Sequence, residues 1–80
     1  DFKLQMAGMP FDVASTVRRG DPAKGRFAVF LLAADGALQA VEAINAPPEF
    51  MAGRQLIASG KKLDAARLAD PAVSMKELIA

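Results

Sequence analysis

The side chains in this chain that could do chemistry are carboxylates, lysines and hydroxyls, because the sequence contains no histidine and no cysteine. Without an imidazole or a thiol it can form neither a Ser–His–Asp triad nor a Cys/His zinc site. The carboxylates have simpler explanations: Asp64 as a helix cap, Asp70 as a turn residue and Glu49 as a complement to a helix dipole. No glycine-rich nucleotide-binding motif occurs. The sequence therefore predicts a module with little catalytic chemistry of its own.

The most suggestive charged pair is Lys61-Lys62, which directly follows Gly60. One interpretation is a solvated pair at a helix C-terminus, where the helix dipole favours cations. The other is a positive contact that steers an acidic protein partner. Lys3 and Lys76 could belong to the same surface, and the sequence leaves both interpretations open.

Composition limits the classes of protein to which the chain can belong. Its 80 residues suit one domain, and ten basic against nine acidic residues give a net charge of +1. This balance does not indicate a nucleic-acid-binding protein. The longest apolar run, 27–34, is too short to span a bilayer, and the lack of cysteine fits a cytoplasmic protein. Alanine makes up much of the apolar content, so we expect a neighbouring domain to support a thin core.

The first 45 residues predict an antiparallel meander of three or four strands. Alternating or apolar runs occur at 3–6, 13–18, 26–33 and 38–44. Asp35-Gly36 lies between the last two runs, and this dipeptide is a strong hairpin signal. Both faces of 26–33 are apolar, which indicates a central strand covered on both sides, or a sheet packed on a helix and on a second domain.

The remaining residues predict helices. One helix covers 47–60, opens on two prolines and ends at Gly60. Gly53 lies in its middle, which we attribute to close approach of the helix to the sheet. A single helical turn follows at 64–68, and a capping box that begins at Ser74 starts a last short helix. Strands followed by helices predict an α+β domain with helices on one face of the sheet. Three methionines are interpreted as core filler: Met6, Met9 and Met51.

Four segments, taken in order, resemble one family. They are Lys3-Leu4-Gln5-Met6-Ala7-Gly8, Val17-Arg18-Arg19-Gly20-Asp21-Pro22, Ala40-Val41-Glu42-Ala43-Ile44-Asn45, and Arg67-Leu68-Ala69-Asp70-Pro71 with Met75-Lys76-Glu77-Leu78 behind it. Their order and spacing are similar to the C-terminal domain of the FAD-dependent, NAD(P)H-using ferredoxin reductases of bacterial oxygenase and cytochrome P450 systems. Putidaredoxin reductase is of this type.

The resemblance implies that residues 1–80 are the third, C-terminal domain of a larger flavoprotein oxidoreductase. In that family, hydride passes from NAD(P)H to FAD, and electrons then leave singly to a [2Fe–2S] ferredoxin. FAD and NAD(P)H would be bound mainly by the two other domains, and the third would cover the flavin site and help to dock the ferredoxin. The implied segment therefore has no catalytic, cofactor-binding or metal-binding residue. Because the chain begins within a predicted strand, we expect it to be a piece of a longer, cytoplasmic protein.

The resemblance carries over few site residues. Lys62 matches a basic position that family members direct toward the ferredoxin, and Lys3 and Lys76 are looser candidates for the same contact. The stretch Arg18-Arg19-Gly20-Asp21 matches a segment of the family that we interpret as structural. The implied partners are a [2Fe–2S] ferredoxin and the FAD- and NAD-binding domains of the same chain, with no nucleic acid and no membrane. The alternative is a purely structural or dimerisation module, as in glutathione-reductase-like enzymes, which leaves a homodimer possible.

Overall fold

A four-stranded antiparallel sheet forms the first half of the molecule, and three helices follow it. The computed structural model describes residues 3–79. The elements are β1 (Leu4–Gly8), β2 (Val13–Asp21), a 3₁₀ turn (Pro22–Lys24), β3 (Arg26–Ala33), β4 (Leu38–Ile44), α1 (Pro47–Ser59), α2 (Ala65–Ala69) and α3 (Met75–Ile79). The predicted α+β class is confirmed. The expectation that the chain begins inside a strand concerns Asp1 and Phe2, which lie outside the described residues.

The strand order across the sheet is β1-β4-β3-β2. Two hairpins join β2, β3 and β4 into the predicted meander. β1, however, pairs with β4 rather than with the strand that follows it in sequence. Asn45 fixes this pairing, because its side-chain Oδ1 accepts from the Lys3 backbone N–H at 2.8 Å and its own N–H donates to the Lys3 carbonyl at 2.8 Å. β1 and β2 are therefore the two edges of the sheet.

The local turn and cap signals in the sequence are confirmed. Gly36 adopts φ of 91°, in the left-handed region that favours glycine, at the β3–β4 hairpin. Asp64 accepts from the Ala66 N–H at 2.9 Å, and Ser74 Oγ accepts from the Glu77 N–H at 3.1 Å. Both bonds satisfy N–H groups that a helix start leaves without a partner. Short-range chemistry thus sets where each element begins and ends.

The core lies between the sheet and the helices. Its largest fully buried side chains are Phe30, Leu32, Val41, Leu56 and Leu68. α1 crosses β4 at Gly53, where a Cβ would lie 2.8 Å from the Val41 Cγ1. A side chain at this position would clash, which confirms that the glycine allows close approach of helix to sheet.

Within residues 3–79, no helix lies on the opposite face of the sheet. Met6 lies on this face with a relative exposure of 62%. Met9 lies in the β1–β2 connection and is 66% exposed, and Met51, on α1, is 53% exposed. The interpretation of these three methionines as core filler is therefore wrong. Hydrophobicity predicted burial, but each residue lies on a surface that no element of the described chain covers.

Among the described residues, no helix has both the length and the apolar character needed to cross a membrane.

Candidate functional site

Lys62 lies at a corner where the helical layer meets the β3–β4 hairpin. It forms an isolated antiparallel bridge with Ala37, and the next residue, Leu63, donates its N–H to the Gly36 carbonyl at 2.9 Å. On the other side, α1 ends at Ser59, and Gly60 caps it with a left-handed backbone that directs its N–H to the Leu56 carbonyl. The Lys62 side chain is exposed. Its backbone is therefore held on both sides while its ammonium group is presented to solvent.

Lys3 lies at the other end of the sheet. Its backbone is bonded to Asn45, just beyond the last residue of β4, whereas Lys62 is bridged to Ala37, just before the first. The length of β4 therefore separates the two lysines, by roughly 25 Å at the usual rise of a strand. Lys76 is exposed on α3, between the buried Met75 and Leu78. The structure thus does not gather the three predicted docking residues into one cluster.

A second polar feature surrounds Arg19, which is only 5% exposed. Its Nη1 donates to the carbonyl oxygens of Leu68 at 3.2 Å and Asp70 at 2.9 Å, and its Nη2 donates to the carbonyl of Val73. These carbonyls belong to α2 and to the segment that joins it to α3. Arg19 therefore fastens β2 to the C-terminal helices across the core, which agrees with the structural interpretation of this stretch.

Glu49 completes this cluster. Its carboxylate lies 3.8 Å from the Arg19 Nε and 3.9 Å from the exposed Arg26. Glu49 stands in the first turn of α1, as predicted, but also partners a buried guanidinium, which the sequence did not predict. Strand alternation could have revealed this contact. Arg19 lies two residues after Val17 in β2, so both side chains point to the same face, and Val17 is buried under the helices. A charged side chain on that face must have partners.

A cavity of about 170 Å³ opens beside this cluster. Its lining includes Arg19, Arg26, Glu49 and Pro71. Both arginines lie beside the Glu49 carboxylate, so the negative charge of Glu49 offsets part of their positive charge. Within residues 3–79, no group of three or more His, Cys, Asp or Glu side chains is placed to hold a metal ion. The lining of this cavity contains no histidine, cysteine, serine, threonine or lysine that could act as a base or a nucleophile.

Comparison with known proteins gives the class. A family model described as "Reductase C-terminal" matches residues 1–79. The chain is 46% identical over 78 residues to a probable ferredoxin reductase, CtmF, of Castellaniella defragrans, covering 98% of this chain and 19% of that protein. It is 44% identical over 79 residues to the ferredoxin–NAD(+) reductase component of the anthranilate 1,2-dioxygenase system of Burkholderia cepacia, covering 99% of this chain and 20% of that protein.

The fold also has a counterpart among solved structures. A crystal structure of the covalent putidaredoxin reductase–putidaredoxin complex contains a chain that superposes with a TM-score of 0.89 at 32% identity, over 99% of this chain and 19% of the other. Sequence and fold therefore agree: the chain belongs to the reductase C-terminal domain family. It spans about a fifth of the length of the relatives it matches.

The family implies FAD and NAD(P)H, and the described residues do not fit either cofactor. The cavity beside Arg19 has a volume of about 170 Å³, whereas pockets for ligands of drug size usually begin near about 300 Å³. Both arginines of its lining are paired with Glu49, so neither is left without a counter-charge to bind a pyrophosphate. No glycine-rich loop leads from a strand into a helix here, which is the arrangement that cradles a dinucleotide.

Proposed function

We propose that this chain is the C-terminal domain of a flavoprotein oxidoreductase that passes electrons from NAD(P)H through FAD to a [2Fe–2S] ferredoxin. The observation that carries the proposal is the family match over residues 1–79, together with relatives that are named ferredoxin reductases. The domain covers the flavin site and helps to dock the ferredoxin. FAD and NAD(P)H are bound by the other two domains of the same polypeptide, and the enzyme works in the cytoplasm, which suits a chain without cysteine.

Lys62 is the residue of this domain that we propose as the main docking contact. Its support is geometric: the bridge to Ala37 fixes the position of the Lys62 backbone, and the exposed side chain presents its ammonium group to solvent, where a partner carboxylate can approach. A docking contact for electron transfer must form and release in each turnover, and exposed charges speed such encounters. Lys3 and Lys76 stay secondary candidates, since the length of the sheet separates Lys3 from Lys62.

The first test is charge reversal at Lys62 in the full-length protein. We expect Lys62→Glu to raise the KM for ferredoxin several-fold at low ionic strength, with the effect shrinking as salt screens the contact. NAD(P)H oxidation by a small artificial acceptor should stay unchanged. The matched control is Lys24→Glu, an exposed lysine in the turn at the other end of the sheet. If both variants reduce ferredoxin like the wild type at low salt, Lys62 is not a docking residue.

A second candidate function is a structural or dimerisation module that makes no contact with ferredoxin. The observation that favours it is the apolar sheet face that no helix covers. Sedimentation of the full-length protein separates the two candidates. A stable dimer that dissociates when residues of that face are changed would favour dimerisation, whereas a monomer that reduces ferredoxin would exclude it.

A further inference from the structure

The sheet face that lacks helices consists of three rows of side chains. In antiparallel sheets, residues directly opposite each other point to the same face. The strand register therefore gives the rows Leu4–Ile44–Phe27–Gly20, Met6–Glu42–Val29–Arg18 and Gly8–Ala40–Leu31–Thr16. We call these twelve positions the open face.

Most side chains of the open face are apolar, and every residue on it except the buried Ala40 is at least partly exposed. Glu42 and Arg18 are its charged residues, and Thr16 is its only other polar side chain. Leu4 is 51% exposed and Met6 62% exposed at the β1 edge. Phe27, Val29 and Leu31 on the central strand are half-buried, with no helix over them. Contiguous apolar surface of this kind marks an interface rather than a face adapted to water.

We propose that the open face packs permanently against the FAD- and NAD-binding part of the same polypeptide. This inference rests on the proposed function and adds which surface of the domain makes the attachment. Its first support is length: the matches span 98–99% of this chain but only 19–20% of the two relatives described above, and the matched family is a C-terminal one. In such relatives, most of the polypeptide is available to cover this face.

The chemistry of the face favours this occupant over ferredoxin. Permanent interfaces are apolar and resemble a core cut in half, whereas weak encounters of redox partners bury less surface and depend on charge. The open face is mostly apolar, like a permanent interface, whereas the corner at Lys62 presents an exposed charge, like a transient one. The domain therefore separates its tasks, with attachment on the sheet face and docking elsewhere.

The inference also accounts for the apolar character of β3 on both faces. Ala28, Phe30 and Leu32 pack under the helices, and Phe27, Val29 and Leu31 form the other side. A strand with this pattern suits a sheet covered on both sides. Domains within one chain move relative to each other unless their interface is large and hydrophobic, so an apolar attachment would hold this domain in a fixed position.

The test is the accessibility of a thiol in the full-length protein. This chain has no cysteine, so Met6→Cys and Met51→Cys each introduce the only thiol of the domain. Met6 lies on the open face and Met51 on α1, and their exposures in the domain are similar, 62% and 53%. Alkylation of each peptide is followed by mass spectrometry. We expect the thiol at position 6 to react at least about tenfold more slowly than the thiol at position 51.

The protection should not change over about a hundredfold range of protein concentration, because an intramolecular contact does not depend on it. Equal reaction rates at the two positions would overturn the proposal. So would protection that appears only at high protein concentration, which indicates a second copy, or only after ferredoxin is added, which indicates the redox partner. Ferredoxin reduction is assayed in the same samples. An active enzyme with a reactive thiol at position 6 therefore refutes the attachment and leaves the proposed function intact.

Discussion

At the scale of single residues, Arg19 connects parts of the chain that are far apart in sequence. Its guanidinium donates to three backbone carbonyls that lie 49 to 54 residues away in sequence. A buried charge is costly unless it is paired and hydrogen-bonded, and Glu49 with these carbonyls meets that requirement. The cluster therefore specifies how α2 and the segment before α3 lie on β2.

Replacing this arginine should loosen the C-terminal helices. Arg19→Met removes the donors of three carbonyls and the charge beside Glu49, and loss of one partner from a buried pair typically costs about 3–5 kcal/mol. We expect faster hydrogen exchange in peptides that cover α2 and α3 of the full-length protein. The control is Arg67→Met, since the Arg67–Glu77 pair is 53% and 60% exposed and such surface pairs contribute less than about 1 kcal/mol. Similar exchange in the two variants would contradict the role of Arg19.

At the scale of secondary structure, the contact between α1 and β4 depends on one missing side chain. Gly53 faces Val41, whose Cβ and two methyl groups would all lie within 3.1 Å of an added Cβ. Valine cannot move these atoms away without shifting the strand, because they are attached at or next to its backbone. Helix propensity and packing therefore make opposite demands at this position.

Gly53→Ala separates these two effects. Helix propensity alone would stabilise the protein by about 1 kcal/mol, whereas overpacking costs about 1–3 kcal/mol. We expect a net loss of about 1 kcal/mol in the free energy of unfolding, measured by urea denaturation. The double variant with Val41→Ala should be more stable than the sum of the two single changes predicts. A gain in stability from Gly53→Ala alone would show that the helix does not pack so closely.

The elements that sequence predicted well are those governed by local chemistry. Asp35-Gly36, Asp64 and Ser74 each act on neighbouring backbone groups, so the hairpin and both helix starts were predictable. The position of β1 beside β4 could not be predicted from local patterns, because the bond between Asn45 and Lys3 joins residues 42 positions apart. Strand alternation places a residue on a face but does not reveal what covers that face. For this reason Met6 was assigned to the core.

The candidate site was predictable only in part. Lys62 was identified from a resemblance and from its place after a glycine, and the structure adds the backbone bonds that hold it. Its separation from Lys3 follows from the strand order, which no local pattern contains. The Arg19–Glu49 cluster depends on contacts between elements that lie far apart in sequence.

At the scale of the whole molecule, the surfaces of the described domain differ in composition. The helices cover one face of the sheet, the open face is left apolar, and the exposed lysine corner projects beside the hairpin. Residues 3–79 contain no cluster of side chains placed to hold a metal ion, and the two reductases described above are about five times as long as this chain. The account therefore assigns this domain to attachment and docking, and the redox chemistry to the rest of the polypeptide.

The measurement that tests this account most directly is electron transfer by the full-length protein. The purified enzyme is mixed with NAD(P)H and then with a [2Fe–2S] ferredoxin, and the visible spectra of both are followed. The account predicts that bound flavin is reduced by NAD(P)H and reoxidised as the ferredoxin is reduced. A protein that binds no flavin, or whose reduced flavin transfers no electrons to any [2Fe–2S] ferredoxin of its host, would contradict it.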